Sequence, residues 1–233
     1  MKILSIIPAR GGSKGIPMKN LVKLNKKPLL EYTVNASLQS KMITKTIVST
    51  DNPKISACAL KLGAEVIHRP RKLSDNHAAL EPVIFHVLDT LRKKQDFIPD
   101  LIVLLQNTSP LRNSKHIDEA IQLLLKNRNK YDSVFSAYKS HYFFWKKISN
   151  GHKPINYNPL KRPRRQEMND QFIENGALFV IKHNSFLKNA CRMSGKIGIY
   201  EMPEELSYQI DSKHDLNLIE NIIKNRGVLN GKN

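Results

Sequence analysis

Two hydrophobic patterns alternate along the chain. Short apolar or β-branched runs recur at "KILSIIP" (2–8), "TKTIVSTD" (44–51), "AEVIHRP" (64–70), "DLIVLLQNT" (100–108) and "YDSVFSAY" (131–138). Segments of helical period separate most of them: Leu29 to Ser40, Pro53 to Leu62, Ala79 to Lys94 and Lys115 to Asn127. The first run is rich in isoleucine and alternates poorly, as does a strand covered on both faces. This order predicts an α/β, Rossmann-like fold, a mainly parallel sheet with helices on both faces. Open sheets of this kind bind ligands beyond the carboxyl ends of their strands. Polar residues fall at that predicted edge: Thr50 and Asp51, Arg69, and the run Gln106, Asn107, Thr108 and Ser109.

From about Lys139 the texture changes. "SHYFFWKK" and "GHKPINYNPLKRPRRQ" carry few aliphatic residues before the strand-like "GALFVIK" begins at Gly176. We read 1–233 as a single domain with 139–175 as an inserted segment. Its aromatics Tyr142, Phe143, Phe144 and Trp145 suit a subunit interface or a lid. "IGIYEMP" and "SYQID" read as further strand-like runs, and an amphipathic helix closes the chain. Ser212, with Asp215 three residues later, forms a predicted capping box at its start.

Composition narrows the class. At 233 residues and 40% apolar content the chain can bury a substantial core. Its first apolar run is too short for a signal peptide and no stretch is long enough to span a membrane, so a cytoplasmic protein without membrane contact is expected. Cys58 and Cys191 lack metal-type spacing and are read as packing residues. The net charge of +18, from 38 basic and 20 acidic side chains, is the one feature that favours nucleic-acid binding. Most lysines stand singly, however, and the dense cluster Lys161 to Arg165 comes with no zinc-finger, RNA-recognition or DNA-reading motif, so nucleic acid is not the expected partner.

The loop after the first run, "ARGGSKGIPMKN", carries more chemistry. Gly11, Gly12 and Gly15 let backbone N–H groups approach an anion, while Arg10, Lys14 and Lys19 supply whole charges. The ligand that suits this combination is a polyphosphate. Neither the Walker spacing nor G-x-G-x-x-G fits, and a plain turn with solvated lysines accounts for the loop taken alone.

Read together, "IPARGGSKGIPMKN", "IVSTDN", "HRP", "LLQNTSPLR", "NGALFV" and the late "QID" resemble the CMP-acylneuraminate (CMP-sialic acid) synthetase family, cytidylyltransferases that activate nine-carbon ulosonic acids. The resemblance spans nearly the whole chain. It implies a nucleotidyltransferase, usually a homodimer, that joins CTP to a sugar acid with Mg2+ and releases pyrophosphate. It implies nucleotide binding by Arg10, Gly11, Gly12, Ser13, Lys14, Lys19, Asn20 and, at the cytosine, Arg69. Arg10, Lys19 and Asp211 are the implied catalytic residues. Gln106, Ser109, Arg165, Gln166, Asn175 and Gly176 would serve the sugar, with Arg112 supporting the loop. A guanidinium fork such as that of Arg165 suits a carboxylate, although a solvated charge run explains the same cluster. Nucleotidyl transfer rests mostly on positioning and on neutralising the leaving pyrophosphate, which calls for cations.

The sequence also departs from that family. Many relatives carry two aspartates one residue apart before the last helix, which on a strand places both carboxylates on one face for a hard cation. Here the first is Gln209, so the expected metal ligands are Asp211 and the amide oxygen of Gln209. Asp75 and Asn76 share the region of a displaced aspartate, the proline usual after "RRQ" is replaced near Asn169, and Ile173 stands where some sialate-specific relatives have arginine. The departures gather on the sugar side and leave legionaminate, pseudaminate, a KDO-like acid or another ulosonic acid open as acceptor.

Overall fold

The computed structural model describes residues 1–13, 15–75, 79–168 and 171–230, with 226–230 described by backbone alone. Its centre is a seven-stranded sheet: β1 (Ile3–Pro8), β4 (Lys45–Thr50), β5 (Glu65–His68), β6 (Leu101–Leu105), β7 (Ser133–Lys139), β10 (Phe172–Lys182) and β11 (Ile197–Glu201). The spatial order is β11-β7-β10-β6-β1-β4-β5. Six strands run the same way and β10 alone is antiparallel to its neighbours β6 and β7. A two-residue pair, β2 (Lys23–Leu24) with β3 (Lys27–Pro28), leads into the first helix, and a separate hairpin pairs β8 (Trp145–Ile148) with β9 (Gly151–Pro154).

Period-two alternation within each buried strand feeds two cores. Ile3 and Ile7 of β1, with Leu101, Val103 and Leu105 of β6, meet α1 (Leu29–Leu38), α2 (Pro53–Lys61) and α4 (Ser114–Lys126) on one face. Leu4 and Ile6, with Ile102 and Leu104, meet α3 (Glu81–Gln95) and the short α5 (His183–Asn189) on the other. The apolar stripe of α4, Ile117, Ile121 and Leu124, is fully buried, worth about 2 kcal/mol per side chain. Asn52 caps α2 by accepting from Lys54 N and Ile55 N at 2.9 and 3.2 Å, and Asn113 with His116 forms a capping box on α4.

Three differences from expectation stand out. α5, at seven residues, is too short to register as a period. The strand at "GALFVIK" starts earlier, at Phe172, and crosses from the inserted segment into the sheet. The segment "SYQID" forms no strand: Ser207 to Ile210 is irregular, pinned by Ile210 N to Thr108 O at 2.8 Å. It enters α6 (Lys213–Asn230) through the expected capping box, in which Ser212 N donates to Asp215 Oδ2 at 2.8 Å and Asp215 N to Ser212 Oγ at 3.3 Å. No helix among the described residues is long and apolar enough to cross a membrane.

Candidate active site

From β1 the chain steps outward through β4 to β5 and then crosses back to β6 on the other side of β1, which makes the crevice between β1 and β6 a topological switch point. A cleft of about 430 Å³ lies there. Pro8, Arg10, Ser13, Gly15, Lys19 and Asn20 from the first loop face Gln106, Asn107 and Thr108 from the loop after β6, and Leu80 and Asp211 complete the lining.

Neighbouring strand ends hold the first loop. Gly11 N donates to Asp51 Oδ1 at 2.9 Å, and Asn20 Nδ2 donates to Arg10 O at 2.9 Å, so both ends of the turn are fixed. Arg10 Nη1 reaches Asp75 O at 2.7 Å. Lys19 Nζ donates to Asp211 Oδ1 at 2.9 Å and to Ile210 O at 3.0 Å. Gly15 packs against the same segment so closely that a β-carbon would sit 2.2 Å from Asp211 O. With the Asp211 side chain 72% exposed, its ion pair with Lys19 is worth at most about 1 kcal/mol, a contact an anionic ligand can displace. Lys14 lies outside the described residues, as do Asn76 and Asn169.

Other expected residues lie beneath the cleft or away from it. Arg69 is buried, with Nη2 donating to Ser49 O at 2.6 Å. Burial pushes its pKa down to about 10, partly offset by Asp51, and it keeps its charge at neutral pH. Arg112 is buried too; Nη2 donates to Thr33 Oγ1 at 2.9 Å, which ties the loop after β6 to α1, and desolvation lowers its pKa to about 9. Ser109 is fully buried. Asn175 is buried with both ends of its amide engaged: Oδ1 accepts from Ser136 Oγ at 2.5 Å and from Ala177 N at 3.1 Å, and Nδ2 donates to Ser207 Oγ at 2.9 Å. Gly176 has φ +62, the left-handed region that favours glycine. Arg165 and Gln166 lie exposed on a 3-10 turn, Arg165–Glu167, and do not line the cleft. Sequence reasoning gave no role to Asp51, the acceptor that anchors the loop, or to Leu80; the position of Asp51 at a strand's carboxyl end was the available signal.

The donor set for a divalent cation is sparse. Asp211 presents a carboxylate to the cleft, Gln209 does not line it, and the described residues contain no cluster of three or more His, Cys, Asp or Glu able to hold a metal. One carboxylate plus substrate phosphates is a set that Mg2+ accepts, because it keeps several waters and binds through few protein ligands. Asp211 therefore fits such an ion only together with a polyphosphate.

Comparison with known proteins places this geometry. The family model described as Cytidylyltransferase matches residues 4–233. The chain belongs to the cytidylyltransferase family. It is 37% identical over 215 residues to N-acylneuraminate cytidylyltransferase A of Danio rerio, covering 90% of this chain and 48% of that protein. It is 36% identical over 227 residues to the N-acylneuraminate cytidylyltransferase of Escherichia coli O18:K1:H7 (strain RS218 / NMEC), covering 93% and 51%. The chain thus spans about half the length of the curated relatives it matches. In fold it is similar to a CMP:2-keto-3-deoxy-manno-octonic acid synthetase solved with CTP, at TM-score 0.68 and 16% identity, covering 97% of this chain and 100% of the other. It is also similar to a 4-diphosphocytidyl-2C-methyl-D-erythritol synthase from Anaerococcus prevotii DSM 20548, at TM-score 0.64 and 14% identity, covering 96% and 98%.

Proposed function

We propose that this member of the cytidylyltransferase family joins CTP to a nine-carbon ulosonic acid of the sialic type, releasing pyrophosphate. One observation carries the proposal: at the switch point of the sheet, Arg10 and Lys19 line the same cleft as the neutral amides of Gln106 and Asn107. Cations on one wall suit a triphosphate, and amides on the other suit a polyhydroxylated acceptor. The names of the relatives at 36–37% identity supply the substrate class.

In this reading a hydroxyl of the sugar acid attacks the α-phosphorus of CTP in line and the bond to the β-phosphate oxygen breaks. Lys19 leaves Asp211 to neutralise charge moving onto the pyrophosphate, and Arg10, held at Asp75 O, does the same from the other end of the loop. Asn20 braces the loop through Arg10 O. A magnesium ion bound by Asp211 and phosphate oxygens would add Lewis-acid polarisation of the phosphates. Arg69 supports the nucleotide wall from beneath. We further propose that the protein works as a homodimer, its partner covering the aromatic hairpin.

The test is a screen of pyrophosphate release over the four nucleoside triphosphates against N-acetylneuraminate, legionaminate, pseudaminate and 3-deoxy-manno-octulosonate. Release that requires CTP and a nine-carbon acid is expected. Equal release with another nucleotide, or with the eight-carbon acid alone, would overturn the assignment.

A further inference from the structure

Gln209 stands two residues before Asp211, yet the two side chains face different neighbours. Asp211 lines the cleft and pairs with Lys19. Gln209 Nε2 instead donates to the main-chain oxygen of Asn175 at 2.6 Å. Because 207–210 is not a strand, the rule that places residues two apart on one face does not apply.

The carbonyl that Gln209 holds sits at a break in β10, whose register against β7 shifts between Glu174 and Phe179. Gly176, next along, takes φ +62, and a β-carbon there would meet Gln209 Nε2 at 3.0 Å and Gln106 Oε1 at 3.3 Å. Two side-chain amides therefore converge on this glycine, and one of them, Gln106, lines the cleft. The Asn175 side-chain amide is engaged by Ser136, Ala177 and Ser207, while its main-chain oxygen accepts from Ser109 Oγ at 3.5 Å and from Gln209 Nε2 at 2.6 Å, so Gln209 is the nearer side-chain donor that fixes this carbonyl. A carboxylate at 209 would lay an acceptor against an acceptor.

We propose that Gln209 is a positioning residue for the acceptor side of the cleft, holding the bulge at Asn175–Gly176 against which Gln106 is set, and that it is not a metal ligand. The group positioned is the neutral, hydrogen-bonding part of the sugar acid, its hydroxyl and acylamino substituents, which amides can read both as donor and as acceptor. The inference rests on the proposed cytidylyltransferase activity for its substrate and on the bulge alone for its structural part.

The experiment compares Gln209→Met and Gln209→Glu with the parent, both near in size and both lacking the donor. Loss of one such hydrogen bond predicts a rise of about three- to tenfold in KM for the sugar acid best used in the screen. KM for CTP and the magnesium concentration for half-maximal rate should stay within about twofold. Hydrogen exchange by mass spectrometry over 172–178 should speed up in both variants, a readout that needs no substrate. Parent-like exchange in both variants overturns the proposal, whether or not the parent turns over any sugar acid. A magnesium requirement that rises in Gln209→Met and falls in Gln209→Glu, with unchanged KM for the sugar, also overturns it and makes Gln209 a metal ligand. Faster exchange in both variants, with no pyrophosphate release from the parent on any sugar acid, sinks the activity and leaves the bulge role standing.

Discussion

At the scale of single residues the first loop is most sharply constrained where it touches the segment before α6. A β-carbon at Gly15 would lie 2.2 Å from Asp211 O, whereas one at Gly12 meets nothing within 4 Å. Gly15→Ala should therefore lower the melting temperature and Gly12→Ala should leave it unchanged, which paired thermal melts will show. Truncating Lys19 or Arg10 has the opposite balance, because their polar ends are held by one ion pair, open to solvent on its Asp211 side, and by hydrogen bonds to main-chain oxygens. Arg10→Ala and Lys19→Ala should each reduce turnover about 10²–10³-fold with little change in melting temperature. Fully active, folded variants would rule the loop out as the triphosphate site. Among the described residues, Asp211 is the only acidic side chain of the cleft lining. Magnesium titration of Asp211→Asn at saturating CTP should show a higher requirement with a lower maximal rate.

At the scale of elements, α6 is held by both ends of one motif. Asp215 Oδ2 accepts from Asp211 N at 3.0 Å as well as from Ser212 N, so the helix cap and the cleft share a residue. The two backbone donors keep the Asp215 carboxyl below its usual range. The sign follows: its contribution to stability is full above the ordinary aspartate pKa of about 4 and is lost as pH falls through the lower folded value. Asp215→Ala should cost about 1 kcal/mol in urea denaturation at pH 7, and the difference from the parent should shrink toward pH 3. A cost unchanged with pH would mean that the carboxyl caps equally well when protonated, so that its charge adds nothing. This capping box and the helices α1 to α4 were legible in the sequence because they rest on local period and local hydrogen bonds. The direction of β10 was not, since a strand's partners are chosen by crossovers that leave no mark on its own pattern.

At the scale of the whole molecule the hairpin β8–β9 stands outside the main sheet. Tyr142 and Trp145 are 53% and 50% exposed, and Phe143 is covered on one side by the Arg162 guanidinium, 3.9 Å from its ring centroid. Its paired rungs set Lys146 opposite Lys153, a like-charge cross-strand pair that weakens an isolated hairpin. A second copy packed on the aromatic residues would supply the missing burial, most simply through a two-fold axis. Sedimentation velocity at micromolar concentration should show a dimer, and Trp145→Glu should shift it toward monomer. A parent that stays monomeric would favour the lid role for 139–175.

Local pattern was enough to establish the α/β class, the edge of the sheet where the cleft lies, and the cationic loop from Arg10 to Asn20. Each is written in local period, turn composition or charge, which neighbouring residues carry without reference to distant ones. What those residues touch was settled by the packing of the layers. Arg69, Ser109 and Asn175 read as ligand contacts in a line of letters, but each is buried: Arg69 donates to the end of β4 through Ser49 O, and Ser109 and Asn175 are joined where β10 meets the loop after β6. Gln209 reads as half of a metal pair, but the chain between β11 and α6 is irregular, and its side chain turns to a main-chain oxygen 34 residues away in sequence. Such long-range pairings are set by how the layers close on one another, and spacing along the chain cannot encode them.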